Sequence, residues 1–176
     1  MNRFVRILIT ILCLGSGLML HAIEAAPPVH VRVVTERGEI ELLLDATHAP
    51  ATVANFLRYV DRGFYNGGRF HRTVTPDNQP HNQIKIEVIQ GGINPAREKE
   101  DGPPIALERT STTGLKHLNG TISMARDAPD TATSDFFICI GAQPELDFGG
   151  RRNPDGQGFA AFGRVIRGRD IVRAIQ

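Results

Sequence analysis

Arg72 in the phrase Phe70-His71-Arg72, and Gln90 in Gln90-Gly91-Gly92, are the side chains of this sequence best suited to act on something outside it. They fall on neighbouring extended segments, and the glycine pair lets another backbone come close. A guanidinium donates hydrogen bonds in a fixed fork, and a carboxamide both donates and accepts. Residues for other chemistries lack the required pattern. There is no Gly-x-Ser-x-Gly phrase and no Cys/His pairing, which leaves a hydrolase with little support. His48, His81 and His117 show no metal-ligand spacing and read as surface histidines. Asp127, Asp130 and Asp135 form no obvious acid pair. A second informative stretch is Gly120-Thr121-Ile122-Ser123-Met124-Ala125-Arg126, followed by Ser134-Asp135-Phe136-Phe137-Ile138.

These phrases need a scaffold. Val29 to Thr35 is rich in β-branched residues, Glu36-Arg37-Gly38-Glu39 turns the chain, and Ile40 to Leu44 returns, so the pair reads as a hairpin. Pro50 suits the first turn of a helix. Val53, Phe56, Leu57 and Val60 then follow at one-face spacing, with Gly63 as the stop. Strands are expected over 69–74, 85–90, 105–107, 121–125, 136–140 and 159–165, separated by loops bearing Gly and Pro. A last helix is expected over 168–176, with Ile171, Val172 and Ile175 inward. Many strands with two helices imply a barrel or sandwich capped by helices, and pattern alone does not choose between them.

Residues 1–25 read as a secretory signal peptide. Arg3 and Arg6 make a basic start, Ile7 to Leu20 is apolar and uncharged, and Ala22, Ala25 and Ala26 supply small residues for cleavage near Ala25. The apolar run is short for a membrane span, although an uncleaved anchor is the competing reading. The full chain has 20 Lys+Arg and 19 Asp+Glu; Arg3, Arg6 and Glu24 leave with the leader, so 18 of each sign remain in residues 26–176. A balanced charge argues against nucleic-acid binding. Of the 2 cysteines only Cys139 remains after cleavage, in a phrase that reads as buried strand. Residues 26–176 are enough for one domain with a real core.

The ordered phrases, from about Val29 to the last residue, resemble those of the cyclophilins, the peptidyl-prolyl cis/trans isomerases. The resemblance implies a mainly β fold: a closed antiparallel eight-stranded barrel capped by two α-helices. It implies a catalytic pair, Arg72 as donor and Gln90 as the residue that holds substrate backbone and orients Arg72. It implies substrate contacts at Phe137, Met124 and Leu146 for the proline pocket, Ala125 and Arg126 beside it, Phe159 at the rim and Asp135 nearby. Phe70 and His71 are implied as structural support, with His71 hydrogen-bonded beneath the site. No metal or cofactor is implied. The expected partners are proline-containing unfolded or partly folded polypeptides, handled by a monomer in the periplasm, with no membrane association after signal cleavage.

The sequence departs from the family pattern in four places. Glu87 and Val88 stand where an aromatic residue and a Met are common, and Thr75 to Gln83 form an insertion that reads as a solvated loop; Ile86, Val88 or the insertion must rebuild that wall. Asp135 replaces a common glutamine; an acid there can pair with Arg72 and position it or compete with substrate for its donors, and a tuning role is the reading preferred. Glu145 replaces a tryptophan common in eukaryotic members, so weak cyclosporin binding is expected. The family's final strand, which closes the barrel beside the first, is expected to be missing from this chain. The leading reading is an exported isomerase of X–Pro bonds. The alternative is a non-catalytic chaperone or scaffold that grips proline-bearing segments on the same fold.

Overall fold

Alternation in the first fourteen strand positions sets the architecture. β1 (Val29–Thr35) pairs antiparallel with β2 (Gly38–Leu44), Thr35 opposite Gly38. Gly38 sits at φ +135°, and a Cβ there would come within 2.7 Å of Ile171 Cδ1, so the turn and the last helix both require glycine. Ile40, Leu42 and Leu44 face inward and are at most 3% exposed. The structure, a computed structural model, describes residues 28–176; the leader expected over residues 1–25 lies outside them.

The remaining strands are β3 (Arg69–Val74), β4 (Val88–Gly92), β5 (Thr121–Met124), β6 (Phe136–Cys139) and β7 (Ala161–Arg167). They join one antiparallel sheet in the order β1-β2-β7-β5-β6-β4-β3. The sheet curls into a half-barrel whose end strands are β1 and β3. The eight-stranded closure expected from the resemblance is thus seen as seven strands among the described residues.

Two helices cover the curled sheet. α1 (Pro50–Asp61) starts on Pro50 and lays Val53 and Phe56 onto the core, where Phe56 meets the rings of Phe136 and Phe162 at 5.6 and 5.3 Å. Its first turn has no local cap. Instead the distant Glu108 carboxylate accepts from Ala51 N (3.1 Å), Thr52 N (2.8 Å) and Thr52 Oγ1 (2.6 Å), meeting orphan donors at the positive helix end. A short α2 (Thr110–Thr113) was not foreseen from the sequence. α3 (Arg169–Ile175) buries Val172 and packs Ile171 and Ile175 against the same core, as expected. Among the described residues no helix is long and apolar enough to cross a membrane.

Two expected strands come out differently. The segment expected over 85–90 enters the ladder only at Val88, because the buried Gln79 side chain takes both backbone groups of Ile86: Nε2 donates to Ile86 O (2.8 Å), and Ile86 N donates to Oε1 (3.3 Å). The segment expected over 105–107 makes a single bridge, Ile105 with Ala132, since Leu107 N donates to the Asp130 carboxylate (2.8 Å). The insertion from Thr75 to Gln83 is mostly exposed, yet Gln79 is only 4% exposed and anchors it.

Candidate functional site

The β3–β4 register contains the decisive irregularity. Phe70 pairs with Gly91 and Arg72 with Gln90, which leaves His71 as an extra residue on β3. Side chains two apart normally share a face, but a bulge reverses the alternation and re-aims the side chains beyond it. Phe70 therefore turns inward, its ring edge-on to Phe136 at 5.9 Å, while Arg72 projects from the outer face. The structural role expected of Phe70 is consistent with this packing.

On that outer face the strands align a row: Arg72 opposite Gln90, Gln90 opposite Phe137, Phe137 opposite Ser123. Phe137 belongs to a second apolar cluster with Val74, Ile86, Val88, Cys139 and Leu146, separate from the barrel core; Ala125 and Phe159 pack on it. β4 and β6 are consequently apolar on both faces: one face fills the barrel, and the other floors a cavity of about 740 Å³. Phe137, Leu146, Ala125 and Phe159 line that cavity together with Arg72 and Gln90. Phe159 stands edge-on to Phe137 at 5.2 Å and lines the same cavity. Ile86 and Val88 supply the wall where the family pattern was interrupted.

Met124 does not join them. It pairs with Phe136 on β5–β6, faces the barrel core and is 1% exposed. The next outer-facing position of β5 is Ser123. Strand alternation thus overturns the expectation that Met124 forms part of the pocket.

Arg72 Nη1 donates to Gln90 Oε1 over a long 3.5 Å, and Gln90 Nε2 donates to Asp135 Oδ2 at 3.2 Å. Asp135 also lies 3.4 Å from His71 Nε2. Among the described residues it makes no ion pair with Arg72, so of the two possibilities direct pairing is not what is seen; it reaches Arg72 through the Gln90 amide. His71 is exposed beside the site rather than bonded beneath it. Gly92 leaves room for the Asp135 carboxylate, which a Cβ there would displace.

Arg126 has a side chain 1% exposed, held by Asp155 (2.8 and 3.0 Å) and Gly158 O (2.8 and 2.6 Å). Its guanidinium also lies 5.0 Å from the Phe159 ring centre. It fastens the loop that carries the rim. The Asp155 carboxyl is held below its usual range by the hydrogen bond from Arg126 and by the Gln157 amide.

Beneath the floor lies an arrangement the sequence did not reveal. His117 is 1% exposed, not a surface residue. Its ring stacks on Phe137 at 5.9 Å and 18°. Nδ1 donates to Asp147 Oδ1 at 2.8 Å, and Nε2 meets Ser123 Oγ at 3.0 Å. Burial raises the Asp147 carboxyl, but the His117 hydrogen bond, its charge and the His117 amide together leave it below the usual value. The types are those of a hydrolase triad, but Ser123 is 0% exposed, so no substrate reaches it. The network supports the Phe137 floor. Cys139 is buried as expected, and burial pushes its thiol far up, away from reactivity. Among the described residues no three His, Cys, Asp or Glu side chains converge as a metal site.

A further unforeseen residue is Arg152, which lines the cavity near Arg72. It sits in a loop without periodicity, and no sequence signal marks it.

A family model described as cyclophilin type peptidyl-prolyl cis-trans isomerase/CLD matches residues 30–176. Peptidyl-prolyl cis-trans isomerase A of Dickeya dadantii (strain 3937) is 37% identical over 177 residues, covering 99% of this chain and 84% of that protein. Peptidyl-prolyl cis-trans isomerase B of Escherichia coli (strain K12) is 37% identical over 144 residues, covering 81% and 80%. The fold resembles a solved cyclophilin type isomerase of Cryptosporidium parvum with TM-score 0.66 at 24% identity, covering 85% of this chain and 84% of that one. A second structure of that protein, in the presence of the dipeptide Ala-Pro, gives 0.65 at 24% identity, covering 84% of each chain.

Proposed function

Because the chain belongs to the cyclophilin-type peptidyl-prolyl cis-trans isomerases, we propose that its outer-face cavity seats a proline on Phe137 and Leu146 while Arg72 stabilises the twisted X–Pro amide. The observation that carries this reading is the placement of the Arg72 guanidinium at the edge of an apolar floor, within reach of the Gln90 carboxamide.

The chemistry needs little else. An amide resists rotation by roughly 18–20 kcal/mol because twisting removes resonance, and X–Pro exchange takes tens of seconds or longer. No bond is made or broken. Once twisted, the proline nitrogen regains its lone pair and accepts a hydrogen bond that the planar amide cannot. A donor fixed at that position binds the twisted state better than either planar one. Each factor of ten in rate requires about 1.4 kcal/mol of such preference. Arg72 supplies the donor, Gln90 holds its fork and is itself held by Asp135, and the apolar floor fixes the ring while the rest of the peptide swings. The clients are proline-containing unfolded or partly folded chains. The Ala-Pro dipeptide used with the Cryptosporidium parvum relative supports a proline-bearing ligand.

NMR exchange in a short Ala-Pro peptide, with residues 26–176 and with Arg72→Ala, tests the activity. Acceleration that vanishes in the variant is expected. Peptide binding without acceleration by the folded wild-type chain would establish the grip-only alternative instead.

The apolar run after Arg3 and Arg6 supports export, and the periplasm is the destination proposed. N-terminal sequencing of the protein recovered from a periplasmic fraction is expected to begin near Ala26. Recovery in the cytoplasm with Met1 intact would overturn export.

A further inference from the structure

Arg152 lines the same cavity as Arg72 and the apolar wall residue Ile86. Two contacts fix it: its amide donates to Glu145 O at 3.1 Å, and its Nη1 donates to Ile84 O at 2.6 Å. The side chain thereby bridges the rim loop to the segment returning from the insertion. It is half-buried, and burial together with the nearby Arg72 charge pushes its pKa down.

Among the arginines that line the cavity, Arg72 and Arg152 lie close enough for one charge to act on the other, and no acid stands within ion-pair distance of either among the described residues. The Glu145 carboxylate holds Arg151 at 3.1 Å. Asp155 holds Arg126 at 2.8 Å. Asp135 takes the Gln90 amide and lies beside His71. Glu87 faces Gln176 at 3.4 Å. Arg72 bonds only a neutral carboxamide and Arg152 only a backbone carbonyl; among the described residues neither has an ion-pair partner. Like charges brought together on a partly desolvated surface repel, and an anion between or beside them relieves the repulsion. A guanidinium fork also matches a carboxylate better than any neutral group.

We propose that Arg152 forms, beside the proline pocket, a subsite for a carboxylate that the client carries next to its proline. The inference rests on the isomerase reading of the same cleft. Arg152 takes the carboxylate, so an acidic client residue does not draw Arg72 away from the proline nitrogen. Two sources present this group: an Asp or Glu side chain, and the carboxylate that ends a chain just after proline.

Matched peptides test the idea. One amidated set carries Glu or Gln immediately before or after a single proline, and a second pair ends just after proline in a free carboxylate or an amide. Isomerisation by NMR exchange and affinity by chemical-shift titration are measured at low salt for the wild type, Arg152→Gln and Arg152→Lys, with folding checked from the spectra. The wild type is expected to favour the carboxylate member by about fivefold in at least one pair, an effect of the size expected for a partly exposed ion pair. That ratio is expected to approach one in Arg152→Gln, to survive in part in Arg152→Lys, and to shrink at about 0.5 M salt, where the Debye length is a few ångströms. A ratio of one in the wild type overturns the subsite, as does an unchanged ratio in Arg152→Gln. If that variant does not fold, an undiminished ratio at high salt overturns it instead. Should no peptide be accelerated, the isomerase reading fails on its own, while the titration ratio still decides the subsite.

Discussion

Arg72 stands directly opposite Gln90 across β3 and β4, its Nη1 3.5 Å from Gln90 Oε1, because one extra residue, His71, interrupts the ladder between Phe70 and Arg72. In a regular ladder Phe70 and Arg72, two residues apart, would share a face. With it, an aromatic ring fills the barrel and a guanidinium points into the cavity.

Giving His71 a partner should therefore do more than removing its imidazole. His71→Ala keeps the bulge, so near-normal folding and measurable X–Pro exchange are expected. Inserting one alanine between Gln90 and Gly91 restores one-to-one pairing and sets Phe70 and Arg72 on the same face, so that either the ring leaves the core or the guanidinium enters it, where an unpaired charge is costly. Loss of activity together with a large drop in the denaturation midpoint is expected. An insertion variant as stable and active as the wild type would show that the bulge does not aim Arg72.

Substitution of the donor separates binding from turnover. Arg72→Ala is expected to lower the exchange rate by about a hundredfold or more, the scale of losing one charged donor to a transition state. Arg72→Lys should recover little of it, since a flexible ammonium lacks the oriented fork. Peptide affinity by titration should change far less than rate in both.

Phe137 and Met124 lie on adjacent strands but face opposite ways, and their alanine variants should differ accordingly. Met124→Ala opens a hole in the barrel core and is expected to cost about 2–5 kcal/mol of stability, with peptide affinity preserved in the folded fraction. Phe137→Ala removes the pocket floor and the stacking partner of His117, so peptide affinity should fall even where the protein remains folded. Equal losses of affinity in the two variants would put Met124 back in the pocket.

The Asp147 carboxyl carries a pH signature. Its folded pKa lies below the ordinary value, with burial opposing and the His117 contacts outweighing it. A depressed acid contributes stability that is full above its unfolded pKa, about 3.9, and is lost as pH falls through the folded pKa. Denaturation midpoints should thus decline below about pH 4 in the wild type. In Asp147→Asn that decline should be shallower, from a lower plateau at neutral pH. Identical slopes in the two proteins would remove Asp147 from the acid response.

Much of the scaffold was legible in the sequence. The hairpin from Val29 to Leu44, the helix starting at Pro50 and the inward Ile171, Val172 and Ile175 are short-range patterns, and the structure keeps them. Strand ends were less legible where a side chain competes for the backbone. Gln79 removes Ile86 from the ladder, and Asp130 does the same to Leu107. Both competitors lie far enough along the chain that no local pattern links them to the strand they shorten.

The ordered phrases of the chain were enough to identify the family and to single out Arg72, Gln90, Phe137 and Phe159, which line one cavity, because they carry that information residue by residue. Folding in three dimensions then set which face each side chain occupies. Met124 went inward and Ser123 outward by pairing register, Arg72 outward by a one-residue bulge, and His117 from presumed surface to a buried support under the pocket. It also set the charges of the cleft, joining Asp135 to Gln90 rather than to Arg72 and leaving Arg152 beside Arg72 without an acid. Residue type specifies what chemistry is available. Facing, burial and partnership depend on strand register and on contacts between segments remote in sequence, and these exist only once the sheet has curled around its core.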